Sequence, residues 1–171
     1  MQPVKNYPLF LKAAARIAQK HEKVRFWVVG NGPEAEKLQA LSEKLGITDK
    51  VRFWGYRTDV DVAMSRSDVF LQTSFTEGSP NTVAEAMRAS KPIITTNSTD
   101  FSEMVDQGNN GYVVENNNLE QLIAAMENML TRTPEELMQA GNRSYELFDK
   151  YFLDAHVAAE FEAFYKKILS K

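Results

Sequence analysis

The sequence predicts a doubly wound α/β domain, a mostly parallel sheet with helices on both faces. Short runs rich in Val, Ile, Phe and Trp alternate with helical stretches, most of ten or more residues. Connections of that length are crossovers, which join parallel strands rather than hairpin partners. Several apolar runs also end in Gly, Asn or Ser, the chemistry of a turn.

The elements follow in order. "YPLFLKAAARIAQKH" places Leu9, Phe10, Ala13, Ala14 and Ile17 at helical spacing, and "VRFWVVG" is a buried strand ending at Gly30. "PEAEKLQALSEKLG" is a helix with Pro33 in its first turn and Gly46 as its stop, and "KVRFWGY" is the second strand. A short helix near residues 59 to 66 leads to a third strand, "DVFLQTS". "PNTVAEAMRAS" is a helix, "KPIITT" a fourth strand, "FSEMVDQG" a helical turn and "GYVV" a last short strand. "ENNN" is a polar turn leading into a helix cap, and three helical stretches close the chain: "LEQLIAAMENML", "PEELMQAGNRSYELF" and "DAHVAAEFEAFYKKIL".

With 171 residues, 43% hydrophobic and 25% charged, the chain suits one compact domain with a core of its own. A net charge of -3 gives no electrostatic reason to approach nucleic acid or an anionic membrane. There are no cysteines, so disulfides, thiolate metal sites and cysteine nucleophiles are excluded. No apolar stretch approaches the roughly 20 residues needed to cross a bilayer. The start "MQPVKNYPLF" lacks the hydrophobic core of a signal peptide. A cytoplasmic location is the expectation. The two histidines, His21 and His156, stand in no metal-ligand spacing, and there is no G-x-S-x-G elbow.

Open α/β sheets bind ligands at the carboxyl ends of their strands, where residues 30–33, 55–59, 74–81 and 95–100 should gather. Among these, "FTEGSPNTVAEAM" sets Glu77 and Glu85 on either side of a Gly-Ser-Pro turn and a helix start. Pro80 suits the first helical turn, Ser79 can cap it, and the amides of Asn81 and Thr82 then point outward at the positive end of the helix dipole. Gly78 keeps the approach open to a diphosphate, while Glu77 accepts hydrogen bonds from neutral hydroxyls beside it. At about 1.5 Å per residue, Glu85 lies several ångströms along, about the span of a ribose. The plainer alternative makes Glu77 a partner of the dipole and Glu85 a solvated helix position.

"EGSPNTVAEAM", followed by "KPIITT", "SEMV", "GNNGYVV" and "LEQLIAAM", resembles the carboxyl-terminal, donor-binding domain of a family-4 retaining glycosyltransferase of the GT-B fold, among the glycosyl transferases group 1. The likeness begins at "VKNYPLFLKAAARI" and runs through "VVGNGPEAEKLQAL", "VRFWGY" and "SDVFLQTS" to about residue 130. The seven residues between Glu77 and Glu85 match the family's paired-glutamate signature.

That resemblance implies a single Rossmann-like domain over residues 1–171, the donor half of a GT-B enzyme, without the amino-terminal acceptor domain. It implies that Glu77 meets hydroxyls of the donor sugar, that amides over Gly78, Ser79, Pro80, Asn81 and Thr82 meet sugar and diphosphate, and that Glu85 holds the ribose. Lys5, in "VKNYP", matches the lysine that neutralises the diphosphate, stabilising charge as the leaving group departs. Glu77 and Lys5 are therefore the catalytic candidates, with no metal and no cofactor beyond a UDP-, GDP- or ADP-sugar. Gly30, Asn31 and Gly32 either approach the phosphates or simply form a tight turn; without a third glycine they are no dinucleotide fingerprint. Tyr56 or Arg57 flanks the base.

The family opens this domain with a strand carrying an arginine ahead of the lysine, whereas only "MQPV" precedes Lys5. The first strand is thus expected to be truncated, leaving an unpaired flank in the sheet. Ser90 replaces the family's usual glycine after the helix, and "STDFSE" replaces a Gly-Gly loop. The implied function is transfer of a hexose-type sugar, with retention, to a glycan or lipid-linked acceptor held by the other domain. The full-length protein would be cytoplasmic or peripheral at the inner membrane face through that half. The alternatives are a non-catalytic nucleotide- or sugar-binding module and a sugar-nucleotide epimerase domain. The aromatics Phe148, Tyr151, Phe152, Phe161, Phe164 and Tyr165 are expected to cover the sheet, the alternative being that some of them face the other domain.

Overall fold

The computed structural model describes residues 1–78, 81–98, 104–105, 109–152 and 166. A 3-10 turn, Pro3–Lys5, precedes α1 (Tyr7–Lys20), β1 (Phe26–Val29), α2 (Ala35–Lys44), β2 (Val51–Gly55), α3 (Val60–Ser65) and β3 (Phe70–Gln72). Then come α4 (Asn81–Arg88), β4 (Ile93–Thr96), β5 (Gly111–Val114), α5 (Leu119–Leu130) and α6 (Pro134–Phe152). Each expected strand is present; β1 to β4 are shorter than the runs quoted for them, and β5 spans all of "GYVV". Pro33 lies just ahead of α2, whose N-cap is Glu34, rather than within its first turn. The expected turn over 101–108 and the last helical stretch, with Phe161, Phe164, Tyr165 and His156, fall almost wholly outside the described residues.

Every strand pairing among the described residues is parallel, which confirms the Rossmann-like α/β fold. The strands form two sheets, β1-β2 and β3-β4-β5. Among the described residues β1 and β3 therefore have one strand partner each. The first six residues link the two sheets at the carboxyl ends of these strands. The Met1 amino group donates to the Asn31 carbonyl after β1, and the Val4 carbonyl accepts from Phe75 N after β3 at 2.8 Å. A Cβ at Gly32 would overlap the Met1 backbone, so the glycine there admits this close passage.

Alternation along the strands sorts the core into two layers. Leu71, Ile94, Tyr112 and Val114 pack with α1, α2 and α5, together with Phe26, Val28 and Val51. Phe70, Ile93 and Val113 pack on the other face with Met64 of α3, Val83 and Met87 of α4, and Leu147 and Phe148 of α6. This is the doubly wound arrangement that the crossovers require. On the outer strands the second face is less covered: Trp27 is 40% exposed and meets Trp54 edge to face, with the Arg52 guanidinium 3.9 Å from the Trp54 ring centre. No helix among the described residues is long and apolar enough to cross a membrane.

Two helices end in the same way with different residues. After α2, Gly46 N donates to Glu43 O and Ile47 N to Ser42 O; after α4, Ser90 N donates to Met87 O and Lys91 N to Ala86 O. Both are Schellman motifs, which need a left-handed residue, and Gly46 (φ 69°) and Ser90 (φ 55°) supply it. For serine that conformation costs on the order of 1 kcal/mol. A Cβ at Gly141 would overlap the Ser90 carbonyl, so α6 packs directly on this turn. Ser90→Gly is expected to stabilise the chain by about 0.5–1 kcal/mol, net of the extra freedom glycine gains when unfolded, read as a raised Tm.

The end of α1 is tied to α5 by charge. Glu127 accepts from His21 Nε2 at 2.6 Å and from Lys20 Nζ at 3.0 Å, and these hydrogen bonds, His21 first, hold its carboxyl below the usual range. A depressed carboxyl stabilises the fold above its unfolded pKa and loses that contribution as pH falls through the folded value. Glu127→Gln is therefore expected to flatten the acid side of the stability profile below the ordinary glutamate pKa, measured by denaturant midpoints against pH.

Candidate functional site

The carboxyl end of β3 is built from short polar side chains. Thr73 Oγ1 donates to Lys5 O at 2.9 Å and Asn6 O at 3.1 Å, fixing the segment that carries Lys5 against the strand end. Asn6 takes the left-handed conformation there (φ 47°), which asparagine tolerates better than most residues. Ser74 is fully buried, and its carbonyl accepts from Thr96 Oγ1 at the end of β4. The chain then turns outward through Phe75 and Thr76 to Glu77, whose amide donates to Ser98 O at 3.2 Å.

This arrangement brings Lys5 and Glu77 together across 72 residues of chain. Lys5 Nζ donates to Glu77 Oε1 at 2.6 Å, and the Ser74 hydroxyl donates to the same oxygen. The Glu77 side chain is 12% exposed and that of Lys5 34%, so the carboxylate is almost enclosed while the ammonium still reaches solvent. Among the described residues Oε2 has no partner. Tyr7 stands close by: burial, and secondly the negative charge of Glu77, raise its phenol above the usual tyrosine range.

The other candidates occupy neighbouring loops. Gly78, Asn81 and Thr82 are exposed at the start of α4, while Ser79 and Pro80 lie outside the described residues. The Thr82 hydroxyl donates to Gln72 Oε1 at 3.0 Å, so it is committed inward to β3. The Gln72 Nε2 is buried without a partner among the described residues. Gly30, Asn31 and Gly32 follow β1, with Asn31 exposed and its side-chain oxygen accepting from Gly32 N at 2.8 Å.

Glu85 does not meet Glu77. It lines a separate recess of about 550 Å³ between α3 and α4, with Thr58, Val60, Asp61, Met64, Arg88 and Ala89. The loop after β2 borders this recess. Tyr56 is 79% exposed, whereas Arg57 pairs with both oxygens of Asp59 at 2.8 and 2.6 Å and lies 5.1 Å from the Trp54 ring centre. The hydrogen bond from Arg57 holds the Asp59 carboxyl below its usual range. Tyr56 thus offers a free ring, and Arg57 is already engaged. A second recess, of about 600 Å³, lies between β1, β2 and α2 and contains none of these residues.

Sequence reasoning did not single out Ser74, Tyr7, Thr73 or Gln72. The signal available was the polar run ending "DVFLQTS", unusual at the end of an otherwise apolar strand. Tyr7 is expected to ionise at higher pH than an exposed tyrosine, and Glu77→Gln to lower its midpoint only partway, because burial remains. NMR titration of the tyrosine ring carbons would show both.

Residues 1–147 match the family model described as glycosyl transferases group 1. An uncharacterized glycosyltransferase of Haemophilus influenzae is 30% identical over 151 residues, 88% of this chain and 42% of that protein. The lipopolysaccharide glucosyltransferase WaaG of Escherichia coli is 31% identical over 124 residues, 72% of this chain and 33% of that protein. The crystal structure of HepE from Anabaena in complex with UDP and glucose superposes with a TM-score of 0.83 at 20% identity, over 96% of this chain and 45% of the other, a likeness of fold. The chain thus spans less than half the length of these relatives.

Proposed function

The chain belongs to the glycosyl transferases group 1, as its carboxyl-terminal domain, and on that premise we propose that it is the donor-binding half of a retaining GT-B hexosyltransferase. The observation that carries this reading is the pairing of Lys5 and Glu77 at the carboxyl end of β3, beside the exposed start of α4. A nucleotide sugar needs a cation and free amides for its diphosphate and a carboxylate for its hydroxyls, within a few ångströms of each other.

In this reading the diphosphate lies against the backbone between Gly78 and Thr82, and Lys5 stabilises the leaving group as charge develops on it. Glu77 receives the hydroxyls of the sugar. Glu85 holds the ribose in the recess between α3 and α4, and the base rests over the loop that presents Tyr56, with Arg57 behind it. Gly30, Asn31 and Gly32 form the opposite lip. WaaG is named as a glucosyltransferase and HepE was solved with UDP and glucose, which supports a hexose donor and favours uridine as the base. No divalent metal is invoked, because Lys5 and the helix amides supply the positive charge.

The acceptor, a glycan or lipid-linked sugar, binds to a second domain facing this one, and any membrane association resides there. Transfer proceeds with retention, by attack on the face from which the nucleotide departs, the leaving phosphate accepting the acceptor's proton. Positioning of two substrates accounts for a large part of such a rate, so this chain by itself binds donor without transferring it.

Calorimetric titration of the chain with UDP, GDP and ADP tests the reading. One nucleotide is expected to bind selectively, and Lys5→Ala and Glu85→Ala are each expected to weaken it about tenfold, ~1.4 kcal/mol. Binding by none of the three, or binding that both substitutions leave unchanged, overturns it.

A further inference from the structure

The Lys5–Glu77 pair poses a problem for the function just described, on which this inference rests. The ammonium meant for a diphosphate is already neutralised by a carboxylate at 2.6 Å, and that carboxylate would itself repel the incoming phosphates. The pairing is built in. Glu77 Oε1 is held from a second side by Ser74, a fully buried hydroxyl whose own carbonyl is fixed by Thr96 at the end of β4. Lys5 is held by its backbone, since Lys5 O accepts from Thr73 Oγ1 and Lys5 N donates to Gln2 O at 3.0 Å. Neither partner is a loose surface side chain.

We propose that Glu77 is a specificity-determining residue that sets the site against a bare nucleoside diphosphate and in favour of one bearing a sugar, with Ser74 as its positioning residue. For a bare diphosphate, Lys5 must be shared with Glu77 and the carboxylate gains nothing in return. For a sugar-bearing donor, sugar hydroxyls donate to Glu77, whose Oε2 is open among the described residues, and this offsets the weakened hold on Lys5. After transfer the hydroxyls leave with the sugar, Glu77 recovers Lys5, and the product diphosphate is bound less tightly than its charge alone would dictate. The same contact thus favours donor entry and product release.

The test is a double-mutant cycle on the chain, titrated calorimetrically with whichever of UDP, GDP or ADP binds the unmodified chain. Glu77→Gln keeps an oxygen to accept from Ser74 and removes the charge. It is expected to bind the bare diphosphate about five- to tenfold more tightly. On a Lys5→Gln background the same change should give little or no gain, because there is no ammonium left to release. Ser74→Ala, which leaves the carboxylate in place and frees its orientation, should give a smaller gain in the same direction and guards against misfolding of the first variant. No gain in either single variant overturns the inference. A gain equally large without Lys5 also overturns it, since Glu77 would then act by simple repulsion. If the unmodified chain binds none of the three nucleotides, the donor-site reading fails and this inference with it.

Discussion

Much of this structure depends on the anchoring of an N-terminal segment onto the ends of strands that do not pair with each other. Two sheets share one core through α1, and at the carboxyl ends of β1 and β3 they are joined by the first six residues. Thr73 and Phe75 hold that segment on the side of β3, and Asn31, next to Gly32, holds it on the side of β1. Without these contacts Lys5 would be a solvated side chain on an unanchored segment. With them it becomes a fixed charge, which is what a diphosphate site requires.

Fixing that charge entails enclosing its partner. A carboxylate taken out of water loses several kcal/mol of hydration, and a single ion pair rarely makes up the whole loss unless further hydrogen bonds are present. Glu77 has them: the Ser74 hydroxyl on the same oxygen as Lys5, and an amide donated to the Ser98 carbonyl that anchors its backbone. Ser74 serves because it is small enough to be buried completely beneath the turn. The polar ending of β3 is therefore a scaffold for one carboxylate, and the exposed start of α4 stands beside it because the crossover from β3 begins there.

The sequence made the fold legible because its signals were strong and redundant. The short apolar run that is buried throughout at Ile93–Thr96, helical spacing from Leu9 to Ile17, Gly46 as a stop and Asn118 as a cap all agree with their neighbours. Ser90 was legible as a departure, and its left-handed backbone bears that out. The candidate site was legible as a set of residues and not as a geometry. Lys5 and Glu77 each stood out, yet nothing in a linear pattern says that two side chains 72 residues apart will meet at 2.6 Å. Glu85 and Glu77 share a helix-start motif and nonetheless face different surroundings. Arg57 was a fair choice for a ring neighbour until its fork closed on Asp59 two residues on. Each of these outcomes is set by which partner arrives in three dimensions, information that propensity and spacing do not carry.

The net charge of -3 gives no hint of anion binding, and the structure offers a physical reason. Screening over roughly 8 Å at physiological salt makes the average charge of a domain a poor guide to one of its loops. The positive features near the candidate site are local: an ammonium anchored at β3, helix amides at α4, and Arg88 lining the recess beside Glu85. Each has a carboxylate at hand, or a position where a sugar rather than a phosphate would rest. A site that binds a diphosphate in this way depends little on long-range attraction. On the proposed reading, its selectivity comes from pairs that a ligand must exchange one by one, and a ligand lacking the right hydroxyls does not complete the exchange.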